Sequence, residues 1–293
     1  MKNSYSDKLH LSKSNTKKLS VINGIIDEYA AQGYKMTLRQ LYYQLVSRDV
    51  IPNNVKEYGK LSRLLVEGRM AGIVDWDAIE DRIRVPYLPY YAEDPADALD
   101  DIIGQYRIDR MKGQPRYIEL WVEKDALSGV LKRITQEYHI RLMVNRGYSS
   151  CTAMHDASER FRNIGSRQVH ILYLGDHDPS GLDMIRDITD RLLEFGIDAN
   201  VKRIALTKEQ IEEYDPPPNP AKLSDSRSGK YIDEHGDSCW EVDALNPDVL
   251  HKIVRKNIEA LIDKQLYKVI LEQEREGKAK LEEMRDNLDG DEL

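Results

Sequence analysis

Apolar positions in the first part of the chain recur at the spacing of an α-helix. Between residues 15 and 32 these positions are Leu19, Val21, Ile22, Ile25, Ile26 and Tyr29. Gly33 ends the pattern, and segments 38–46 and 58–70 repeat it, with Thr37 where a helix N-cap is expected. We therefore predict three short helices before residue 71.

Two short apolar runs follow the third predicted helix. Ile73-Val74 and residues 83–85 have the composition of strands, with Asp75-Trp76-Asp77 between them. Three helices and a hairpin suggest a winged helix, a common DNA-binding module, although other small helical domains would show the same pattern.

Strands and helices alternate beyond residue 115. Residues 86–91 contain prolines that interrupt regular structure and mark a domain boundary, and a helix is expected over 95–110. The predicted strands are 117–122, 140–145, 169–174 and 200–205, and the predicted helices between them are 126–138, 151–163 and 181–195. Such alternation builds a parallel sheet with right-handed crossovers. We therefore predict a helical domain over 1–90 and an α/β domain over 91–293.

The C-terminal part has a less regular pattern. Residues 216–236 are rich in proline, serine and aspartate, and they predict a long loop that is either an ordered insertion or a flexible flap. A helix over 247–262 and a charged tail helix follow.

Acidic residues follow two of the predicted strands. Glu123 comes directly after the first strand, and Asp176 and Asp178 follow the third. If these strands are parallel neighbours, the carboxylates meet at the carboxyl edge of the sheet, where ligands bind in open α/β folds. Clustered carboxylates need a hard cation, and Mg²⁺ is the usual one. A role of Asp176 as a helix N-cap before Pro179 is the structural alternative.

Two neighbours of these acids have more than one reading. His177 stands between the two aspartates and is expected to point away from them, as alternate residues do. Lys124, beside Glu123, could contact a phosphate, although a solvated lysine is the more common case.

A second candidate for chemistry lies on the second predicted helix. Arg39 and Tyr43 are four residues apart and therefore share a helix face. A guanidinium beside the phenol would favour the phenolate and bind a phosphate that the phenolate attacks. Tyr42 lies about 100° round the helix and is expected to face the core. Packing of both tyrosines is the usual alternative.

Composition describes a soluble globular chain. Of 293 residues, 41% are hydrophobic, and the mean hydropathy is -0.61. No apolar run approaches the ~18 residues of a membrane span, and the N-terminus has no apolar signal core, so we expect a cytoplasmic protein. Cys151 and Cys239 are the only cysteines, which excludes a disulfide scaffold. A net charge of -8 argues mildly against nucleic-acid binding, but the leader before residue 19 is locally basic.

The combination of motifs resembles a known family. Glu123 after one strand and Asp176-x-Asp178 after a later one resemble the Toprim domain of topoisomerases, primases and related nucleases. The full run to Gly181, Asp-His-Asp-Pro-Ser-Gly, is similar to the version in the topoisomerase VI A subunit and the meiotic double-strand-break transesterase. Residues 37–43 resemble the Arg-x-x-Tyr-Tyr segment of that family's winged helix, and residues 147–150 its Gly-x-x-Ser segment. The chain length is closer to the stand-alone mini-A proteins.

The resemblance implies a fold, an activity and a set of partners. The fold would be a winged-helix domain over 1–90 followed by a Toprim domain, with its C-terminal helices, over 91–293. Tyr43 would attack a backbone phosphate of double-stranded DNA and become joined to the 5′ end, while Arg39 binds that phosphate. Glu123, Asp176 and Asp178 would hold Mg²⁺. In the family the tyrosine of one subunit serves the metal site of another, which implies a homodimer.

Other outcomes stay open at this point. The segment after Glu123 departs from the family's glycine- and methionine-containing run. No ATPase motif is present, so strand passage would need a separate ATPase subunit. The same carboxylates would serve a metal-dependent nuclease in which water attacks and Tyr43 only packs. A non-enzymatic DNA-binding replication accessory protein is the third hypothesis.

Overall fold

The computed structural model describes residues 2, 4–5, 11–80, 87–220 and 227–290. Its helices are α1 (Lys13–Ala31), α2 (Leu38–Ser47), α3 (Val55–Met70), α4 (Pro95–Gln105), α5 (Ser128–Tyr138), α6 (Cys151–Arg162), α7 (Pro179–Glu194), α8 (Lys208–Tyr214), α9 (Ser228–His235), α10 (Pro247–Glu259) and α11 (Lys264–Gly290). Its strands are β1 (Arg116–Val122), β2 (Arg141–Val144), β3 (Gln168–Leu174), β4 (Ala199–Ala205), β5 (Asn219–Pro220) and β6 (Ser238–Cys239).

Helices α1 to α3 form a helical region around one apolar core, which confirms the three predicted helices. Thr37 caps α2 as expected: its hydroxyl accepts from the Gln40 amide while the Gln40 side chain accepts from the Thr37 amide. This reciprocal cap fixes the start of α2. The main buried residues of this core are Leu19, Ile22, Ile25, Leu41, Leu45, Leu61 and Leu65.

The predicted strand at Ile73-Val74 is wrong. The amides of both residues donate to the carbonyl of Gly68, at 2.9 and 3.1 Å, so they close the end of α3 instead of pairing with a strand. A short 3-10 turn, Trp76–Ala78, follows. The second predicted strand, 83–85, lies outside the described residues.

Strands β1 to β4 form one parallel sheet in the order β2-β1-β3-β4, as the alternation predicts. Helices cover both faces, which makes this an α/β region. One face packs against α5 and α10, and the other packs against α6 and α7. The register pairs Val122 with Leu174, so β1 and β3 end side by side.

The helix predicted over 95–110 ends earlier, at Gln105. Residues beyond it turn away and contact the tail helix α11, where Arg110 pairs with Glu274 at 2.5 Å and the Ile108 amide donates to the same carboxylate at 3.2 Å. Helix α11 packs along α4, and the Tyr106 hydroxyl lies against Gly277. None of the described helices is both long enough and apolar enough to cross a membrane.

Candidate functional site

The carboxyl ends of β1 and β3 bring the predicted acidic residues together. Glu123 follows β1 directly, and its amide donates to the Leu174 carbonyl at 2.9 Å. Its carboxylate accepts from the Asp176 amide at 3.1 Å. The Asp176 carboxylate accepts in turn from the Val242 amide at 2.9 Å. The neighbouring parallel strands therefore place Glu123 and Asp176 in contact at one edge of the sheet, as the sequence predicts.

Asp178, and not Asp176, caps the helix that follows. Its carboxylate accepts from the Gly181 amide at 2.5 Å and from the Ser180 hydroxyl at 3.0 Å, and Pro179 is the first residue of α7. A Cβ at Gly181 would overlap the Asp176 carbonyl oxygen, so this close turn requires glycine there. The proline and the glycine of the motif thus have local structural reasons.

The Arg203 side chain contacts the backbone of the same turn. Its guanidinium donates to the carbonyl of Gly175 at 2.9 Å, to that of Asp176 at 3.1 Å, and to that of Gly181. Burial lowers the pKa of Arg203, although the neighbouring acids act in the opposite direction. Arg203 therefore fixes the backbone from which Asp176 and Asp178 project.

Lys124 is paired rather than solvated. Its ammonium lies 2.6 Å from the Asp176 carboxylate, 2.8 Å from that of Glu241 and 3.5 Å from that of Asp243. Glu241 and Asp243 belong to the segment that leads into the 3-10 turn Val242–Ala244, which packs against α2. Lys124 thus links the sheet edge to the surface that faces the helical region.

Helix α2 presents Arg39 and Tyr43 to the same segment. Arg39 pairs with Glu241 and, at 2.9 Å, with Asp243. The guanidinium carbon lies 5.7 Å from the centre of the Tyr43 ring, and Glu241 lies close enough to raise the pKa of Tyr43. The expected shared face of Arg39 and Tyr43 is confirmed, and Glu241 connects it to Lys124.

The charges of this network do not favour a phenolate at Tyr43. Burial raises the pKa of Tyr43, which is only 5% exposed, and Glu241 raises it further, while Arg39 lowers it. Burial also acts to raise the pKa of Glu241, but Lys124 and Arg39 outweigh it and hold that pKa below its usual range. Tyr43 is therefore protonated in this arrangement.

Tyr42 turns away from the site and fastens a neighbouring loop. Its hydroxyl donates to the Asn53 side chain at 2.9 Å and to the Asn54 carbonyl at 3.2 Å. The Asn53 amide group donates to the Pro218 carbonyl at 2.9 Å and to the Asn219 side chain at 2.6 Å. The first part of the proline-rich loop is thus packed on the helical region and does not hang free of it.

A cleft of ≈ 320 Å³ opens between these elements. Residues of the charged network and the carboxylate edge that line it are Arg39, Glu123, Lys124, Asp176, Asp178 and Glu241. The proline-rich loop closes one side with Asn219 and Pro220. All three predicted metal ligands and the predicted phosphate-binding arginine therefore face one cavity.

The donor chemistry of this edge fits a hard cation. Carboxylate oxygens are the ligands that Mg²⁺ prefers. Burial raises the pKa of Glu123 and the charge of Asp178 raises it further, a conflict that a cation would relieve. In the conformation described, Asp176 pairs with Lys124 and Asp178 caps α7. Within the described ranges, no set of three such side chains already stands close enough to hold an ion.

His177 has a packing role. Its Nδ1 lies 3.0 Å from the Tyr231 hydroxyl, and its ring packs edge-on against Trp240. Burial lowers the pKa of His177 to about 4. The expectation that His177 points away from the aspartates is confirmed.

Sequence reasoning missed Arg203, Glu241 and Asp243. Arg203 sits in a strand whose pattern shows no special feature. Glu241 and Asp243 alternate with apolar residues after Trp240, and that spacing is the one available signal that their side chains share a face. No protein-family model matches this chain, and no curated protein matches it. Any assignment of function therefore depends on this site and on the sequence motifs.

Proposed function

We propose that this protein is a Mg²⁺-dependent DNA strand transesterase of the topoisomerase VI A-subunit type, with a winged-helix domain over 1–90 and a Toprim domain over 91–293. The observation that carries the proposal is one cleft lined by Arg39 from α2 and by Glu123, Asp176 and Asp178 from the sheet edge. This chemistry requires a cationic side chain that binds phosphate, a tyrosine beside it, and carboxylates that can hold a hard cation.

The reaction exchanges one phosphodiester for another. The Tyr43 oxygen attacks a backbone phosphorus, the bond to the 3′ oxygen breaks, and the 5′ phosphate stays on the tyrosine. Arg39 binds the non-bridging oxygens, the phenol proton passes to solvent as the bond forms, and the departing 3′ oxygen takes a proton from solvent to become a hydroxyl. A Mg²⁺ ion held by the three carboxylates would supply positive charge for the departing 3′ oxygen. Attack by that oxygen on the phosphotyrosine reverses the step.

Plasmid cleavage with a matched pair of variants tests the proposal. Supercoiled plasmid is incubated with protein and Mg²⁺, quenched with detergent, and run with and without protease. We expect broken DNA that enters the gel only after protease digestion for wild type and for Tyr42→Phe, and none for Tyr43→Phe. Chelation of the metal should abolish it. Adducts at wild-type level from Tyr43→Phe would overturn the proposal.

Burial of Tyr43 favours a second candidate, a Toprim nuclease in which water attacks. The Tyr43 residue is only 5% exposed, so water in the cleft has the easier approach to a phosphate. Broken DNA that runs identically with and without protease, and that survives Tyr43→Phe but not Asp176→Ala, would select this candidate.

Duplex DNA, a second copy of the chain and a separate ATPase subunit are the partners that we propose. DNA binding without cleavage under any of these conditions would leave the role of a replication accessory protein. If only the ATPase subunit is missing, adding one should restore cleavage by wild type and not by Tyr43→Phe.

A further inference from the structure

The Glu241 carboxylate occupies an unusual position for an acidic side chain. It accepts from Arg39 and, at 2.8 Å, from Lys124, and it lies close enough to Tyr43 to raise the pKa of that phenol. Two cations converging on one carboxylate oxygen form an oxyanion site. A carboxylate and a phosphate present similar oxygens to such donors.

Asp243 differs from Glu241 although it pairs with the same two cations. The Asp243 side chain is 0% exposed, whereas that of Glu241 is 22% exposed and lines the cleft. If Glu241 swung away, Asp176 and Asp243 would still balance Arg39 and Lys124. Departure of Glu241 therefore leaves no buried cation unpaired, a situation that would otherwise be costly.

We propose that Glu241 occupies an anion site formed by Arg39 and Lys124 beside Tyr43, and that a substrate phosphate group must displace it. The identity of that phosphate as part of a DNA backbone rests on the proposed function. Glu241 is then a built-in competitor that keeps the site closed. Lys124 becomes a second phosphate ligand beside Arg39.

The geometry allows this exchange without refolding. A glutamate side chain has three rotatable bonds, and the cleft of ≈ 320 Å³ offers space on the solvent side of Glu241. Once a phosphate replaces the carboxylate, the phosphate lies beside Tyr43 in the place of Glu241. The same movement therefore admits the substrate and places it beside the tyrosine.

Inorganic phosphate is the probe for the anion site itself. Its affinity is measured from the rise in melting temperature with phosphate concentration at constant ionic strength. We expect Glu241→Gln to bind phosphate about tenfold more tightly than wild type, since removing one full charge from a desolvated site is worth roughly that factor. Glu241→Asp, which keeps the charge on a shorter side chain, should fall between them. Equal phosphate affinity in all three proteins would overturn the inference.

Glu194→Gln is the matched control. Glu194 is exposed at the far end of α7, about 22 Å along the helix from the cleft by its 1.5 Å rise per residue. Glu194→Gln removes the same charge as Glu241→Gln. Any general effect of net charge on anion binding therefore appears in Glu194→Gln as well. A gain in Glu194→Gln as large as that in Glu241→Gln would also overturn the inference.

A labelled 30-base-pair duplex in the presence of chelator separates this inference from the proposed function. Glu241→Gln should bind the duplex several-fold more tightly than wild type, and the gain should vanish in an Arg39→Met background. Phosphate binding that responds to Glu241→Gln without any duplex binding would keep the anion site and reject DNA as the ligand. Tyrosine adducts in wild type, with no gain for either probe in Glu241→Gln, would reject the inference and keep the proposed function.

Discussion

Replacement of Arg203 should destabilise the turn that carries Asp176 and Asp178. In Arg203→Met the carbonyls of Gly175, Asp176 and Gly181 lose the guanidinium that donates to them. These three residues are buried, so solvent does not replace the donor freely. The side chain of methionine fills the same space without offering a hydrogen-bond donor.

The expected loss comes mainly from the carbonyls of Asp176 and Gly181, because the Gly175 carbonyl also accepts from the Leu206 amide at 2.9 Å. A buried polar group left without a partner costs about 1–3 kcal/mol, and partial repacking brings the sum to about 3–5 kcal/mol, the range for breaking a buried charged contact. At about 2 °C per kcal/mol for a chain of this size, the melting temperature should fall by about 6–10 °C. Arg203→Lys should recover part of it, since one ammonium reaches fewer carbonyls.

Thermal melting followed by circular dichroism measures this loss. Arg186→Met is the control, because Arg186 is an exposed arginine on α7 whose ion pairs with Asp183 and Asp190 lie at the surface. Such pairs contribute about 0–1 kcal/mol. If Arg203→Met melts within about 2 °C of wild type, the carbonyls of Asp176 and Gly181 do not depend on Arg203 and the reasoning is refuted.

Three further outcomes are expected. Mixing Tyr43→Phe with Asp178→Ala chains should restore DNA adducts to about a quarter of wild type if sites are shared between two copies, because half of randomly formed dimers contain one intact site. Gly181→Ala should lower stability by more than about 2 kcal/mol, because its Cβ overlaps a backbone carbonyl. Arg110 holds the pKa of Glu274 below its ordinary value, so the stability lost in Glu274→Gln should be largest above pH 4.5 and should vanish as pH falls through the lowered pKa.

Each of these outcomes has a contrary result. No adducts in the mixed chains would place a complete site within one copy. Gly104→Ala, in the last turn of α4 with no neighbour near its added Cβ, is the control for Gly181→Ala and should stabilise by at most about 0.5–1 kcal/mol. A stability difference for Glu274→Gln that does not change between pH 3 and 7, measured by chemical denaturation, would contradict the Arg110 pairing.

The order of strands and helices could be predicted because each carries its own signal. Runs such as 169–174 are apolar on both faces, which is typical of a strand buried in a parallel sheet. The strand at Ile73-Val74 failed because two β-branched residues are too short a run, and the end of α3 claimed their amides. The end of α4 was predicted wrongly because residues after Gln105 contact α11, which lies far along the chain.

One part of the candidate site could likewise be predicted from the sequence, and another part could not. Glu123, Asp176 and Asp178 follow strands directly, so strand adjacency alone places them together. Glu241 reaches the site through a segment that crosses from the sheet to α2, and no local pattern encodes that path. The raised pKa of Tyr43 could not be predicted either, because the acids that offset the charge of Arg39 lie about 200 residues away.

The pairing of α4 with α11 joins the two ends of the α/β region. Arg285 on α11 contacts Asp100 on α4 at 3.1 Å, so the first and last helices of this region are tied side by side. A chain whose ends meet can be cut open at an exposed loop and rejoined at its old termini without changing its contacts. The α/β region is therefore suited to circular permutation, in which the end of α11 is joined to the start of α4. The helical region would then be attached close to that junction.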